Sequence, residues 1–476
     1  MSTLIKSRSE FNIKQFFRAL LTLALPIALQ NLLATTASMV DTIMIGTQGE
    51  LAVAAVGICS QISSLFFACY FGFAGGALLF FAQYWGAEDE VGINRTFGLS
   101  LIPLLLVSLA FGGVAVFAPR FLLSIYTDKE NLINIAAPYI RIAGFSYPLV
   151  VLNSIISFLM RSTERVKPPL ICSVVALAVN FCINWLLING NLGCPKLGPT
   201  GAAIGTLVST AVNSVLLLIF LLRDKTGVQL KWKQMFDFGG GFAGDYFKKC
   251  FPVICNEFLY GVGQMLINVV IGRQSESAIA AMATFRVLEG FVFAFFAGLA
   301  DASSVVIGNE VGAGNHMNAY RYLKGFAVIC PAITFLIVAI FFCANGPLLG
   351  LFGLGAEALT YGKYMLLIYM VAGSIRTCNY IMNLCYRAGG DTVFGMVLEI
   401  SSLFLISVPA TWAAGMIWQL PFIAVFSFVY TDELLRLVVE IFRTRSCKWL
   451  KPVTPQGKAT LEAFHEELRQ LRNKVE

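Results

Sequence analysis

The sequence predicts an all-α polytopic membrane protein, with twelve transmembrane helices in two six-helix lobes related by a pseudo-twofold axis. Three observations lead there: a composition starved of charge, about twelve apolar stretches of spanning length, and a second half that repeats the first. Of the 476 residues, 57% are hydrophobic and only 13% are charged. Soluble domains carry about 25% charged residues, so roughly half of the polar coat that such a fold needs is missing. With a mean hydropathy of +0.76, the chain is built for lipid.

A membrane crossing takes about 20 apolar residues. Such stretches fall at 16–44, 51–82, 94–118, 131–160, 168–190, 199–222, 246–272, 277–308, 318–343, 358–386, 393–414 and 417–442. They divide the chain into an N-terminal segment (1–15), an N-terminal lobe (16–222), an interlobe loop (223–245), a C-terminal lobe (246–442) and a tail (443–476). The loop is marked by its charges and by the run Gly239-Gly240-Gly241. The polar start runs into an amphipathic stretch (Phe11, Ile13, Phe16, Phe17) with no small-residue cleavage site, so no removable signal is expected. In the tail, Leu461, Phe464, Leu468, Leu471 and Val475 recur at helical spacing, as in a short amphipathic cytoplasmic helix.

The formal charge of +7 could suggest nucleic acid, but its distribution argues otherwise. An even number of helices puts both termini on one side. If that side is cytoplasmic, about 26 of the 34 Lys and Arg lie there, Arg161, Arg165, Lys167, Lys248, Lys249, Arg443 and Arg445 among them. The bias predicts a multi-pass protein of a bacterial inner membrane, with both termini cytoplasmic and no nucleic-acid partner. The 12 Cys are scattered singly and only 2 His exist, none at metal-ligand spacing, so neither a disulfide framework nor zinc is expected.

The repeat appears at a constant offset of 226 residues. Pro26 aligns with Pro252, Leu33 with Leu259, Met39 with Met265, and Ile45-Gly46 with Ile271-Gly272. Without a gap, Glu50 then meets Glu276, Phe67-Ala68 meets Phe293-Ala294, Gly72 meets Gly298, and Gly86-Ala87 meets Gly312-Ala313. The offset returns at Asn153 with Asn379 and Arg161 with Arg387. Six helices per half make the repeats parallel, which places a solute site between the lobes near the midplane. Pro26 and Pro252 read either as bends that serve transport motions or as helix starts.

The segment LALPIALQNLLATTASMVDTIMIG followed by ELAVAAVG resembles the opening of the multidrug and toxic compound extrusion (MATE) family. So do Trp85-Gly86-Ala87, Gly308 to Asn315, RAGGDT at Arg387 to Thr392, and LGPTGAAIGT at Leu197 to Thr206. The resemblance covers roughly residues 15 to 442 and implies a V-shaped antiporter that expels organic, often cationic, compounds against sodium or proton influx. In that family an Asp at the position of Asp41 belongs to a cation site. Its partners on the fifth and sixth helices match Asn180, Asn184 and Thr206. The two Asn lie one turn apart on one helix face, and with Asp41 they form a candidate sodium site of hard oxygen ligands. Some members carry a second acid where this chain has Asn184. Its absence weakens a sodium site and leaves a lone Asp41 that suits a proton as well.

In the C-terminal lobe, Glu257 stands where part of the family has a cation-linked Glu, while Arg376 replaces an Asp of the tenth helix. An Arg near Glu257 would hold it as an ion pair. Arg286 and Glu289, at i and i+3, and Glu399 complete the expected charge network. Tyr70, Phe67, Tyr260 and Phe293 are candidates for an aromatic cleft that takes lipophilic cations. The expected partners are small organic solutes and membrane lipid, the expected state is a monomer, and no cofactor is expected beyond the coupling ion, H+ or Na+.

The alternative within the same superfamily is a lipid-linked saccharide flippase, which usually has fourteen helices or a more cationic cleft. An enzyme is not expected. A membrane prenyltransferase needs paired Asp-rich DxxxD motifs, and none is present. Direct use of ATP needs a GxxxxGK[ST] loop, which is also missing.

Overall fold

A computed structural model describes residues 13–223, 228–239, 241–350, 352 and 354–473. Among them are eleven helices long and apolar enough to cross a membrane. These are α1 (Phe16–Gly46), α2 (Glu50–Gly86), α3 (Glu90–Phe117), α4 (Glu130–Ser162), α5 (Lys167–Asn189) and α6 (Pro199–Arg223). After the loop come α7 (Phe242–Ile271), α8 (Glu276–Gly312), α9 (His316–Cys343), α10 (Ala356–Ala388) and α11 (Thr392–Ile417). The twelfth expected span is broken into α12 (Phe422–Phe428) and α13 (Thr431–Ser446). α13 is amphipathic, and Asp432, Glu433, Arg436 and Glu440 sit on its buried face. A tail helix, α14 (Pro455–Asn473), follows.

Local chemistry starts and stops these helices. The side chains of Asp89 and Ser275 accept from the backbone N–H of Gly92 and Ala278, capping α3 and α8. α5 ends on Gly190 at φ 74°, a left-handed conformation that Gly adopts without a Cβ penalty. Pro26 and Pro252 are not helix starts. Pro252 lies inside α7, and Pro26 follows a wide π-turn at Leu20–Ala24 within α1. A proline that cannot donate to the preceding turn commonly brings such a widening.

α9 shows how the helices face lipid. Val328, Leu336 and Ile340 are 70%, 61% and 58% exposed, while Cys330, Thr334 and Val338 between them are buried. Large apolar side chains point outward and a threonine points inward, the arrangement expected of a helix solvated by hydrocarbon.

The chain forms two compact units. One gathers the described residues up to Ala28, Ala82–Glu88 and the chain from Gly263 onward; the other gathers Leu29–Phe81 and Asp89–Val262. Within the first, α10 packs on α8, α9 and α13. Within the second, α4 packs on α3 and α6, and α5 packs on α6.

The 226-residue offset reappears as repeated contacts. In the second unit, Gly72 lies against Ile254, where an added Cβ would be 2.6 Å from the Ile254 Cα. In the first unit, Gly298 lies against Ala28, where an added Cβ would be 2.2 Å from the Ala28 Cα. Residues 28 and 254 are themselves repeat equivalents, as are 72 and 298. Ser154 Oγ meets Tyr70 Oη at 3.5 Å in one unit, and the equivalent positions Tyr380 and Phe296 meet ring to ring in the other. At the ends of α2 and α8, inside the first unit, the contact is reciprocal. Gly86 faces the Asn309 carbonyl and Gly312 faces the Gln83 carbonyl, the pattern that a local twofold between two helix ends produces.

The tail docks where this crossing ends. Gln83 donates to the Ala388 carbonyl and accepts from the Val453 N–H. Thr454 Oγ1 donates to the Gly312 carbonyl, and Trp449 is fully buried against Gly389. Phe464 and Leu468 are buried on the inward face of α14, as the spacing predicts; Val475 lies outside the described residues.

Candidate functional site

The first candidate centre lies in the second unit, where α1, α5 and α6 meet. Asn184 and Asn180 share a face of α5, one turn apart, and both are buried. Asn184 Nδ2 donates to Asp41 Oδ1 at 2.6 Å and lies 3.2 Å from Asn180 Oδ1. Asp41 is half-buried on α1, and its carboxylate is met by a charge-assisted hydrogen bond. Thr206 follows on α6, half-buried, with its carbonyl accepting from Ser209 and Thr210. An apolar cluster of Ile45, Ala52, Ile188 and Ala202 packs beside the site, with Tyr139 of α4 against it. Tyr139 also lies within electrostatic reach of Asp41. Sequence spacing did not mark this residue, which comes from a separate helix.

The rotamer of Asn184 is fixed by a neighbour. A Cβ on Gly205 would stand 2.0 Å from Asn184 Oδ1, an oxygen buried without a donor. Gly205→Ala must therefore displace the amide that holds Asp41. A charge-assisted hydrogen bond is worth about 1.5–3 kcal/mol, so transport by the variant is expected to fall about tenfold or more at unchanged membrane abundance. Wild-type efflux from this variant, measured in vesicles matched for protein, would remove Asn184 from the site.

These residues fit a proton more simply than sodium. An amide nitrogen, a donor, occupies the space between the Asp41 and Asn180 oxygens. Sodium would need that amide turned, with its oxygen toward the carboxylate. Among the described residues, no group of three or more His, Cys, Asp or Glu is placed to hold a metal ion.

The second centre lies in the first unit. Arg376 Nη1 of α10 pairs with Glu289 Oε1 of α8 at 2.6 Å, and Tyr430 Oη lies 3.5 Å from the same oxygen. Arg286, exposed on α8, donates to Asn268 of α7. Glu399 of α11 accepts from Asn383 at 2.7 Å and pairs with Arg436 at 3.3 Å. Glu257 belongs to the second unit. Within the first unit, Arg376 pairs with Glu289, while Arg286 and Glu399 have the partners just named.

Both members of the Arg376–Glu289 pair are largely buried, so removing one takes from the other a charge partner at 2.6 Å in a poorly solvated place. Glu289→Gln and Arg376→Gln are each expected to lower thermal stability, by about 3 kcal/mol. The double variant is expected to recover at least half of the summed loss. Additive losses in a thermal-shift cycle would mean that the pair is uncoupled.

The aromatic candidates divide between the units. In the second, Tyr70 is buried against Phe66, Phe67 is half exposed across the Tyr70 and Phe71 rings, and Tyr260 is half-buried. In the first, Phe293 is partly exposed and packs edge-on against Phe296 and Tyr380. Phe67 and Phe293 are repeat equivalents, so each unit presents an aromatic at the same place.

The fold and these buried polar centres define a helical, multi-pass membrane protein. The MatE family profile matches residues 26–186 and again 252–413, so the chain belongs to the MatE family. The second match starts 226 residues after the first, the offset of the internal repeat. The chain is 21% identical to the uncharacterized transporter YisQ of Bacillus subtilis, over 91% of this chain and 95% of the relative. It is also 21% identical to the probable multidrug resistance protein NorM of Thermotoga maritima, over 91% and 93%. A solved structure of MATE in complex with MaL6 matches with a TM-score of 0.79 at 18% identity, over 90% of this chain and 95% of that one.

Proposed function

We propose that the protein is a secondary antiporter that exports organic, lipophilic and often cationic compounds by alternating access, in exchange for protons. One observation carries the reading. Asp41 is a carboxylate within a membrane-spanning helix, held by the Asn184 amide rather than by a fixed cation. Ionisable groups at that depth are costly and mark ion pathways. A carboxylate that meets a neutral donor, and no fixed cation among the described residues, can exchange a proton for a positively charged solute. The exposed aromatics Phe67 and Phe293 suit the apolar body of such a solute.

The relatives named for multidrug resistance support the solute class. The positive-inside bias supports insertion in the inner membrane with both termini cytoplasmic. No cofactor, nucleic acid or catalytic step enters this reading, and the monomer is its working unit. The test is efflux of a fluorescent organic cation from vesicles under separately imposed proton and sodium gradients. Efflux driven by the proton gradient supports the proposal. Efflux driven only by sodium would transfer the coupling to that ion, and efflux indifferent to both would end the antiport reading.

A further inference from the structure

The inward face of α13 carries more buried acid than its partners neutralise. Asp432, Glu433, Arg436 and Glu440 recur along this face, 5%, 6%, 4% and 1% exposed. Arg436 is the hub. Its Nη2 lies 3.3 Å from Glu399 Oε1 of α11, its Nη1 lies 3.7 Å from Glu433 Oε2, and Glu440 and Asp432 also act on it electrostatically.

Two other guanidinium groups reach the cluster. Arg387 of α10 is 4.0 Å from Glu399. Arg376 reaches Asp432 electrostatically but is already paired with Glu289 of α8. Asp391, Arg443 and Lys451 form a separate group at the helix ends. The α10 groups Cys378, Cys385 and Tyr386 also lie within electrostatic reach of Glu440, and thiols and phenols are ordinarily neutral near pH 7. With Glu289 and Arg376 included, five carboxylates thus share three guanidinium groups.

An independent shortage points to the same place. Asn379 Nδ2 donates to Glu433 and Asn383 Nδ2 donates to Glu399, so both amides face the cluster. Their Oδ1 atoms are buried without a donor, and so is Glu440 Oε2; against these three acceptors stands one buried donor without an acceptor, Arg436 Nε. The cluster therefore holds surplus negative charge and surplus acceptors. A metal ion would have to settle beside a guanidinium, and among the described residues no group of three or more His, Cys, Asp or Glu is placed to hold one.

We propose that the α10–α11–α13 cluster is a proton-binding site, in which Glu440 takes a proton from water as a carboxylic acid while Glu399 and Glu433 share Arg436. The step forms one O–H bond and consumes one aqueous proton, with no redox change. The proton supplies positive charge and one further donor to a cluster in which spare acceptors outnumber spare donors. The site shares no residue with the Asp41 centre, and the inference stands whether or not Asp41 couples transport.

Infrared titration of the full-length protein in liposomes tests it, in an Asp41→Asn background so that this carboxylate is silent. A protonated-carboxyl stretching band is expected at near-neutral pH, and Glu440→Gln is expected to remove it. An undiminished band in the Gln variant would overturn the assignment to Glu440. If that variant does not insert, the Asp41→Asn protein alone decides, since absence of any such band at near-neutral pH overturns the proposal. Loss of the band on adding sodium chloride at constant pH, but not choline chloride, would mean that a metal displaces the proton, and would also overturn it. A band that persists in protein whose efflux ignores every ion gradient separates this inference from the antiport reading.

Discussion

Asp41→Asn is expected to reduce efflux of an organic cation to the passive leak of protein-free vesicles, while the protein still inserts and purifies as a folded species. The replacement keeps the volume and an acceptor oxygen but removes the charge that both solute and proton need. Asn184 Nδ2 can still donate at the position now 2.6 Å from Asp41 Oδ1, so packing of α1 on α5 should survive. Loss of coupling without loss of fold distinguishes a transport residue from a structural one. Efflux at even a tenth of the wild-type rate would refute the role given to Asp41.

Gly312→Ala is expected to have the largest effect on folding. Its Cβ would stand 1.8 Å from the Gln83 carbonyl oxygen, and the mirror change Gly86→Ala would place one 1.9 Å from the Asn309 oxygen. Both obstacles are backbone, so no side chain can swing aside. Overpacking typically costs about 1–3 kcal/mol where side chains can adjust, and here the helices themselves must separate. The same displacement would break the Gln83 bonds to Ala388 and Val453, freeing the tail. The variant is expected to lose most of its monodisperse peak in size exclusion. Gly113→Ala, with nothing within 4 Å, is expected to behave as wild type. A normal peak from Gly312→Ala would contradict the close crossing.

These two cases also explain what was legible beforehand. The repeat could be read because its identities fall at Gly72, Gly86, Gly298 and Gly312, where helix backbones touch and no side chain fits. The spans could be read because hydrocarbon rewards unbroken apolar runs. The Asn180 and Asn184 pairing was visible in their spacing, but the Gly205 that fixes Asn184 was not, since that constraint crosses between helices. Arg286 and Glu289 looked like neighbours at i and i+3. The structure sends them to Asn268 and Arg376, partners that only tertiary packing supplies. The last span was read as continuous because its flanking apolar residues mask the break before Thr431. The polar face from Asp432 to Glu440 carried a signal, helical spacing of charge, that hydropathy averages away.

Counting cations released per organic cation bound is the most direct test of the Asp41 account. Purified protein in weakly buffered solution would be titrated with a lipophilic cation while a pH indicator records proton release. The account predicts about one proton released per site filled in the wild type, and none in Asp41→Asn. Saturable binding to the wild type with no proton released would contradict it.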